Sequence, residues 1–160
     1  MIEPVVIAVE GVSDKVVLET ISRRLGRDLA AEGIRIQAIG GAHAISRFVA
    51  ELGSDVAVRG LCDDNEQRLF RRVLDDVYVC MPDLEGELIR ALGVERMLEI
   101  VDRDAFATMQ QQPAQRGRPI ELQLHRWLRS SSIRNHRYLP VLADALEPDR
   151  VPAPLAGVLG

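Results

Sequence analysis

Four short runs, residues 5–9, 34–39, 56–61 and 77–80, are rich in Val and Ile and apolar almost throughout. Runs that do not alternate with polar residues are buried on both faces, which predicts a parallel sheet covered by helices on each side. Helical spacing separates the runs. Val16, Val17, Ile21, Leu25 and Leu29 recur along one face after the first, with Ser13 or Asp14 as the candidate N-cap and Gly26 or Gly33 as the candidate stop. Gly40 and Gly41 turn the second run into a helix carrying Ile45, Phe48, Val49 and Leu52, and residues 66–74 read as a short helix after the third. The predicted order is βαβαβαβ, an α/β fold with right-handed crossovers.

Beyond Pro82 the pattern turns helical, over residues 84–92 and 95–101. A polar loop over 110–119 (QQQPAQRGRP) precedes amphipathic helices over 121–128 and 138–146. The tail, 148–160, is apolar and punctuated by proline, and it is expected to pack back on the domain. The reading is therefore a domain over residues 1–101 with a helical C-terminal extension over 102–160.

Composition narrows the function. A length of 160 residues, 47% hydrophobic and 28% charged, suits one globular domain. No stretch approaches the ~20 apolar residues of a membrane span, so a cytoplasmic protein with no membrane partner is expected. Cys62 and Cys80 end apolar runs and are too far apart for a zinc knuckle, so they read as buried free thiols. Lys15 is the only lysine, leaving arginine as the cation of this chain. The net charge of −4 argues against a whole-surface nucleic-acid binder, but the segment 116–137 is markedly basic.

The candidate chemistry lies where strands end, since ligands of open α/β sheets bind beyond the carboxyl ends of the strands. The first run leads into Glu10 and Asp14, the third into Asp63, Asp64, Asn65 and Glu66, and the fourth into Asp83, Glu85 and Glu87. Each cluster alone is the kind of acid that caps a helix. Three on one edge of a parallel sheet converge, and convergent carboxylates call for a hard divalent cation, Mg²⁺ or Mn²⁺.

The segments VVIAVEGVSDKVVLETISRRLG, IQAIGGAHAISRF, VRGLCDDNE and VCMPDLEGELIRALG, in that order, resemble a Toprim domain, as found in the overcoming-lysogenization-defect (OLD) nucleases and stand-alone bacterial relatives. The likeness runs to about Val101. It implies a Toprim-like fold: a central parallel four-stranded sheet flanked by helices. It also implies Mg²⁺- or Mn²⁺-dependent hydrolysis of nucleic-acid phosphodiester bonds, in DNA, with one or two ions. Glu10 matches the glutamate after the first strand, and Asp14 the second acid of the OLD-type motif. Asp63 matches the first aspartate of the DxD motif and would bridge two metals ~4 Å apart. Asn65 stands where the second aspartate is expected, an uncharged departure. Asp83 and Glu85 match the motif after the fourth strand. Glu10 and Asp63 are thus the catalytic candidates, and Glu10, Asp14, Asp63, Asn65, Asp83 and Glu85 the metal ligands. Where OLD nucleases carry a basic residue, usually lysine, this chain has Gln111, with Arg116 and Arg118 the nearest cations.

Arg116, Arg118, Arg126 and Arg129, with Arg134 and Arg137, form a candidate phosphate-tracking surface on which Trp127 or Tyr138 stacks on a base. The alternative is a solvated arginine face with Trp127 in the core. His43 reads as a helix cap or solvent residue, and His125 and His136 are isolated in sequence. Neither Tyr78 nor Tyr138 has the setting of a strand-transfer nucleophile. No Walker A, GxSxG or HExxH motif occurs, so any ATPase would be a separate partner. A homodimer is open. Asn65 and the missing lysine motivate a second reading, a catalytically weak Toprim module that binds nucleic acid or docks a partner. A third, a response-regulator-like module holding one Mg²⁺, lacks the lysine such a site uses.

Overall fold

Side chains along a strand face alternate sides of the sheet, and the two sides here have separate cores. In the computed structural model, which describes residues 1–160, β1 (Val5–Val9) sends Ile7 and Val9 into the larger core and Ala8 into the smaller one. β2 (Ile34–Ala38), β3 (Ala57–Asp63) and β4 (Val77–Cys80) complete a four-stranded sheet, all parallel, in the order β2-β1-β3-β4. The parallel sheet and the flanking helices are as the hydrophobic pattern predicts.

The helix positions follow from the strand order. α1 (Val12–Arg24) leads from β1 out to β2, whereas α2 (Ile45–Leu52) and α3 (Gln67–Arg71) lead the other way, to β3 and β4. Right-handed crossovers in opposite directions must lie on opposite faces. Val17, Leu18 and Ile21 of α1 accordingly join the larger core, and Ile45 and Phe70 join the smaller one. Gly60 of β3 lets α3 come close. A Cβ there would stand 2.6 Å from Phe70 Cδ1 and 2.9 Å from Leu74 Cδ1.

Around the third strand the boundaries differ from the sequence reading. The third strand runs to Asp63 rather than Leu61, because Asp63 is paired with Cys80 of β4. The helix after it is shorter than residues 66–74, since a 3₁₀ turn over Asp64–Glu66 comes first.

Beyond β4 the chain is entirely helical: α4 (Leu84–Leu92), α5 (Val94–Ile100), α6 (Arg103–Gln110), α7 (Ile120–Arg129), α8 (Ser132–Asp144) and α9 (Ala153–Leu159). The sequence reading has no helix over 103–109, yet α6 is started by the Asp102 side chain, which accepts from Ala105 N at 3.1 Å, and held by buried Phe106. It also begins α8 only at 138. The Ser131 hydroxyl caps the helix six residues earlier, accepting from Arg134 N at 3.2 Å. These helices share the larger core with α1 and α4 through Leu124, Trp127, Leu128, Leu139 and Leu142.

The tail packs back as expected. Leu155, Val158 and Leu159 are fully buried, and a Cβ on Gly157 would lie 2.6 Å from Tyr78 Cε1. The carbonyls that end α9 are taken by guanidinium groups. Arg59 Nη1 donates to Val158 O at 3.1 Å, and Arg27 donates to Leu159 O at 3.1 Å and Gly160 O at 2.9 Å. No helix is long and apolar enough to cross a membrane.

Candidate metal centre

The connections from β1 and β3 diverge to opposite sides, so the carboxyl ends of these adjacent strands form the topological switch point of the sheet. Glu10 follows β1 directly and Asp63 is the last residue of β3. Their backbones are tightly fixed. The Glu10 carbonyl accepts from both Gly40 N (3.1 Å) and Gly41 N (3.0 Å), so the Gly-Gly pair is a backbone turn serving the first strand. Its positive φ values of 80° and 114° are those glycine adopts freely. Asp63 Oδ1 accepts from Leu84 N at 3.2 Å, which ties β3 to the start of α4. Asp14 lies in the first turn of α1, where its Oδ2 accepts from Gly11 N at 2.8 Å.

A cleft of about 310 Å³ collects Glu10, Asp14, Asp63 and Glu85. Its far wall is Asn135, His136 and Leu139 of α8, which packs across α1. Asp83 lies next to this cleft, nearly buried at 6% exposure, as the N-cap of α4. Asn65 does not line the cleft. It is exposed in the 3₁₀ turn after β3.

The acids fall into two groups with different electrostatics. Glu10, Asp14 and Asp63 take part in no ion pair of the protein. Burial, then the charges of Asp14, Asp83, Glu85 and Glu10, push Asp63 up to about 7. Asp14 is pushed up to about 6, mainly by burial and with help from Glu10 and Glu85, against the pull of its bond from Gly11 N. Glu10 is raised too, by burial and then Glu66, with Arg129 acting against the shift. Carboxylates disfavoured in this way are relieved by a cation.

Asp83 and Glu85 have protein partners instead. Arg129 Nη1 is 2.8 Å from Asp83 Oδ2 and 3.3 Å from Glu85 Oε2. His125 Nε2 lies 2.9 and 2.8 Å from the two Asp83 oxygens, Gly86 N donates to Oδ1 at 2.9 Å, and Asn135 Nδ2 donates to Glu85 Oε1 at 2.7 Å. Burial works to raise Asp83, but the His125 and Gly86 hydrogen bonds with the charges of His125 and Arg129 outweigh it and hold Asp83 below its ordinary value. The same bond to Asp83 raises His125.

Sequence reasoning put Arg129 on a nucleic-acid surface and left His125 and His136 without partners. The fold brings all three to the acids. His125 and Arg129 are four apart on α7, hence on one face beside the buried stripe of Leu124, Trp127 and Leu128, and that spacing was the available signal. Trp127 is 1% exposed and packs edge-on to Phe106, and the Tyr138 hydroxyl accepts from Asp102 N. Neither ring is free to stack on a base. Arg116, Arg118 and Arg126 are exposed.

An all-oxygen, negatively charged donor set fits Mg²⁺ or Mn²⁺, and Glu10, Asp14 and Asp63 supply it. No three His, Cys, Asp or Glu side chains stand close enough together to hold a metal ion as they are placed, so the fit is one of donor chemistry.

Residues 4–59, which hold β1, α1, β2 and α2, match the family model described as "Overcoming lysogenization defect protein-like, TOPRIM domain". The fold extends the likeness to the whole chain. The C-terminal region of the Xanthomonas campestris pv. campestris OLD protein superposes with a TM-score of 0.69 at 21% identity, covering 98% of this chain and 90% of that one. The C-terminal region of the Burkholderia pseudomallei OLD protein gives 0.64 at 19% identity, covering 99% and 96%. No curated protein matches. Residues 4–59 thus resemble the OLD-like Toprim domain, and the β2-β1-β3-β4 parallel sheet with its helices gives the whole chain the fold of the OLD C-terminal regions.

Proposed function

We propose that the protein is a divalent-metal-dependent hydrolase of nucleic-acid phosphodiester bonds, acting on DNA. The observation that carries this reading is the meeting of Glu10, Asp14, Asp63 and Glu85 in one cleft at the switch point of the sheet, where burial and neighbouring acids push Asp63 up to about 7. A group in that setting is held at a cost that binding Mg²⁺ or Mn²⁺ removes. Glu10, Asp14 and Asp63 would hold the ion. When bound, it supplies a Lewis acid for a phosphoryl oxygen and makes an attacking water more acidic.

The protein's own groups do the rest. Arg129, anchored by Asp83 and Glu85 yet 48% exposed at its side chain, offers guanidinium donors to the charge that builds on the phosphate. Asp83 and Glu85 orient it, and His125 holds Asp83. Arg129 thus serves where the family resemblance implies a lysine. Exposed Arg116, Arg118 and Arg126 provide cations for the flanking phosphate backbone.

The test is cleavage of supercoiled and linear DNA across a series of divalent metals. Nicking or degradation with Mg²⁺ or Mn²⁺, lost in Glu10→Ala and Asp63→Ala, is expected. Activity indifferent to both substitutions overturns the reading. Tight DNA binding without cleavage under every metal favours the second reading, a binding or docking module, which the uncharged Asn65 supports.

A further inference from the structure

Of the two groups of acids, only Glu10, Asp14 and Asp63 are free of an ion pair with a protein cation. An ionised carboxylate has about four lone-pair sites on its two oxygens. Asp83 is surrounded: Gly86 N at Oδ1, Arg129 Nη1 at Oδ2, and His125 Nε2 within 2.9 Å of both. Glu85 has Arg129 on one oxygen and Asn135 on the other. Both side chains are nearly buried, at 6% and 8% exposure, so neither can turn outward to new partners without leaving these donors. Asn65, the remaining candidate for a second metal, is uncharged, exposed and outside the cleft.

The first group is the opposite case. Asp14 gives one oxygen to Gly11 N, Asp63 gives one to Leu84 N, and the other oxygen of each is unclaimed. These three carboxylates make no direct ion pair, and Arg129 acts on Glu10 and Asp63 only through space, whereas its guanidinium is in contact with Asp83 and Glu85. A divalent ion at Asp83 and Glu85 would have to displace that guanidinium or sit against it, and like charges at contact distance in a partly buried site repel strongly.

We infer that this centre takes a single divalent ion, at Glu10, Asp14 and Asp63, and that Arg129 with His125 occupies the place of a second. Asp63 then carries one ion on one side and faces a guanidinium-bound pair on the other, rather than bridging two ions. This rests on the metal reading above, and the experiment separates the two.

Mn²⁺ is titrated into the whole protein, and bound ion is counted from the loss of the six-line electron paramagnetic resonance signal of free Mn²⁺. One Mn²⁺ per chain is expected, with no Mn–Mn coupling at saturation and with binding lost in Asp63→Asn. The double substitution Arg129→Ala with His125→Ala is expected to raise the count to two. Two coupled ions in the unsubstituted protein overturn the inference while leaving the metal reading intact. No bound ion at all overturns the metal reading itself. A folded double variant that still binds one ion also overturns the inference. The count and the coupling in the unsubstituted protein decide the matter even if the double variant does not fold.

Discussion

Arg129 Nη1 and Asp83 Oδ2 are 2.8 Å apart across a separation of 46 residues, and this contact joins the end of α7 to the start of α4 beside the acids of the sheet. It makes the helical C-terminal segment part of the site. Arg129→Ala leaves Asp83 nearly buried with one fewer donor and Glu85 with only Asn135. Breaking a buried pair on one side costs ~3–5 kcal/mol, and the half-exposure of Arg129 reduces this to about 2 kcal/mol. Urea denaturation in EDTA is expected to show that loss, and an unchanged midpoint would mean that the contact contributes nothing.

Asp63→Asn should act in opposite directions with and without metal. Without it, the substitution removes a charge that burial and the charges of Asp14, Asp83, Glu85 and Glu10 all oppose, while the amide oxygen can still accept from Leu84 N. After discounting for partial exposure, a gain of about 1–2 kcal/mol is expected. The variant should melt higher than the parent in EDTA and gain nothing on adding Mg²⁺.

Stability of the metal-free protein should fall as pH rises from 5 to 8. Asp14 and Asp63 reach about 6 and about 7 when folded, from an ordinary value of 3.8, so across this window the folded state holds protons the unfolded chain has released. His125 acts in the same direction. Its pKa is raised above 6.5, so its contribution is full below that value and is lost as pH rises through the folded one. Asp83, held low, contributes stability that is lost only as pH falls below the ordinary carboxylate range. Urea midpoints measured across the window should decline in EDTA and flatten with Mg²⁺. A midpoint that rises with pH in EDTA would contradict the electrostatics described.

Gly60→Ala places a methyl group 2.6 Å from the Phe70 ring, between the strand that ends in Asp63 and the helix that covers it. Overpacking of this kind costs ~1–3 kcal/mol. A lower melting temperature is expected, and Phe70→Leu in the same background should return part of it.

Charge reversal at exposed Arg116, Arg118 and Arg126 should weaken DNA binding for every sequence alike. It should also flatten the dependence of affinity on salt, by about 0.9 in log–log slope for each phosphate no longer neutralised. Fluorescence anisotropy over a salt series measures both. An unaltered slope would remove these residues from the interface.

Much of the fold was legible because strands buried on both faces have no polar positions to obscure them. The bounds Val77–Cys80 and Leu84–Leu92 are those the pattern predicts. The acids of the site were legible for a related reason, since in a parallel sheet whatever follows each strand lies on one edge. What packs over that edge has no such local signal. Leu124, Trp127 and Leu128 mark the buried face of α7, but nothing in the sequence says that this face lies against α4, or that His125 and Arg129 then meet Asp83. The start of α8 was hidden by the polar run Ser130 to His136, whose Ser131 is itself the cap. Asn65 was placed by motif position alone, and the 3₁₀ turn carries it to the surface.

The acids of the centre belong to the ends of strands and to the first turns of the helices they feed, whereas their counter-cations belong to α7. Frame and charge balance are therefore separately editable. Substitutions on a single helical face, at positions 125 and 129, change how much positive charge the centre already contains without altering any residue of the strands and acidic loops. Under the one-ion proposal, the number of ions the centre takes is set from α7, 42 and 46 residues beyond Asp83, and a motif search confined to the acids would not find it.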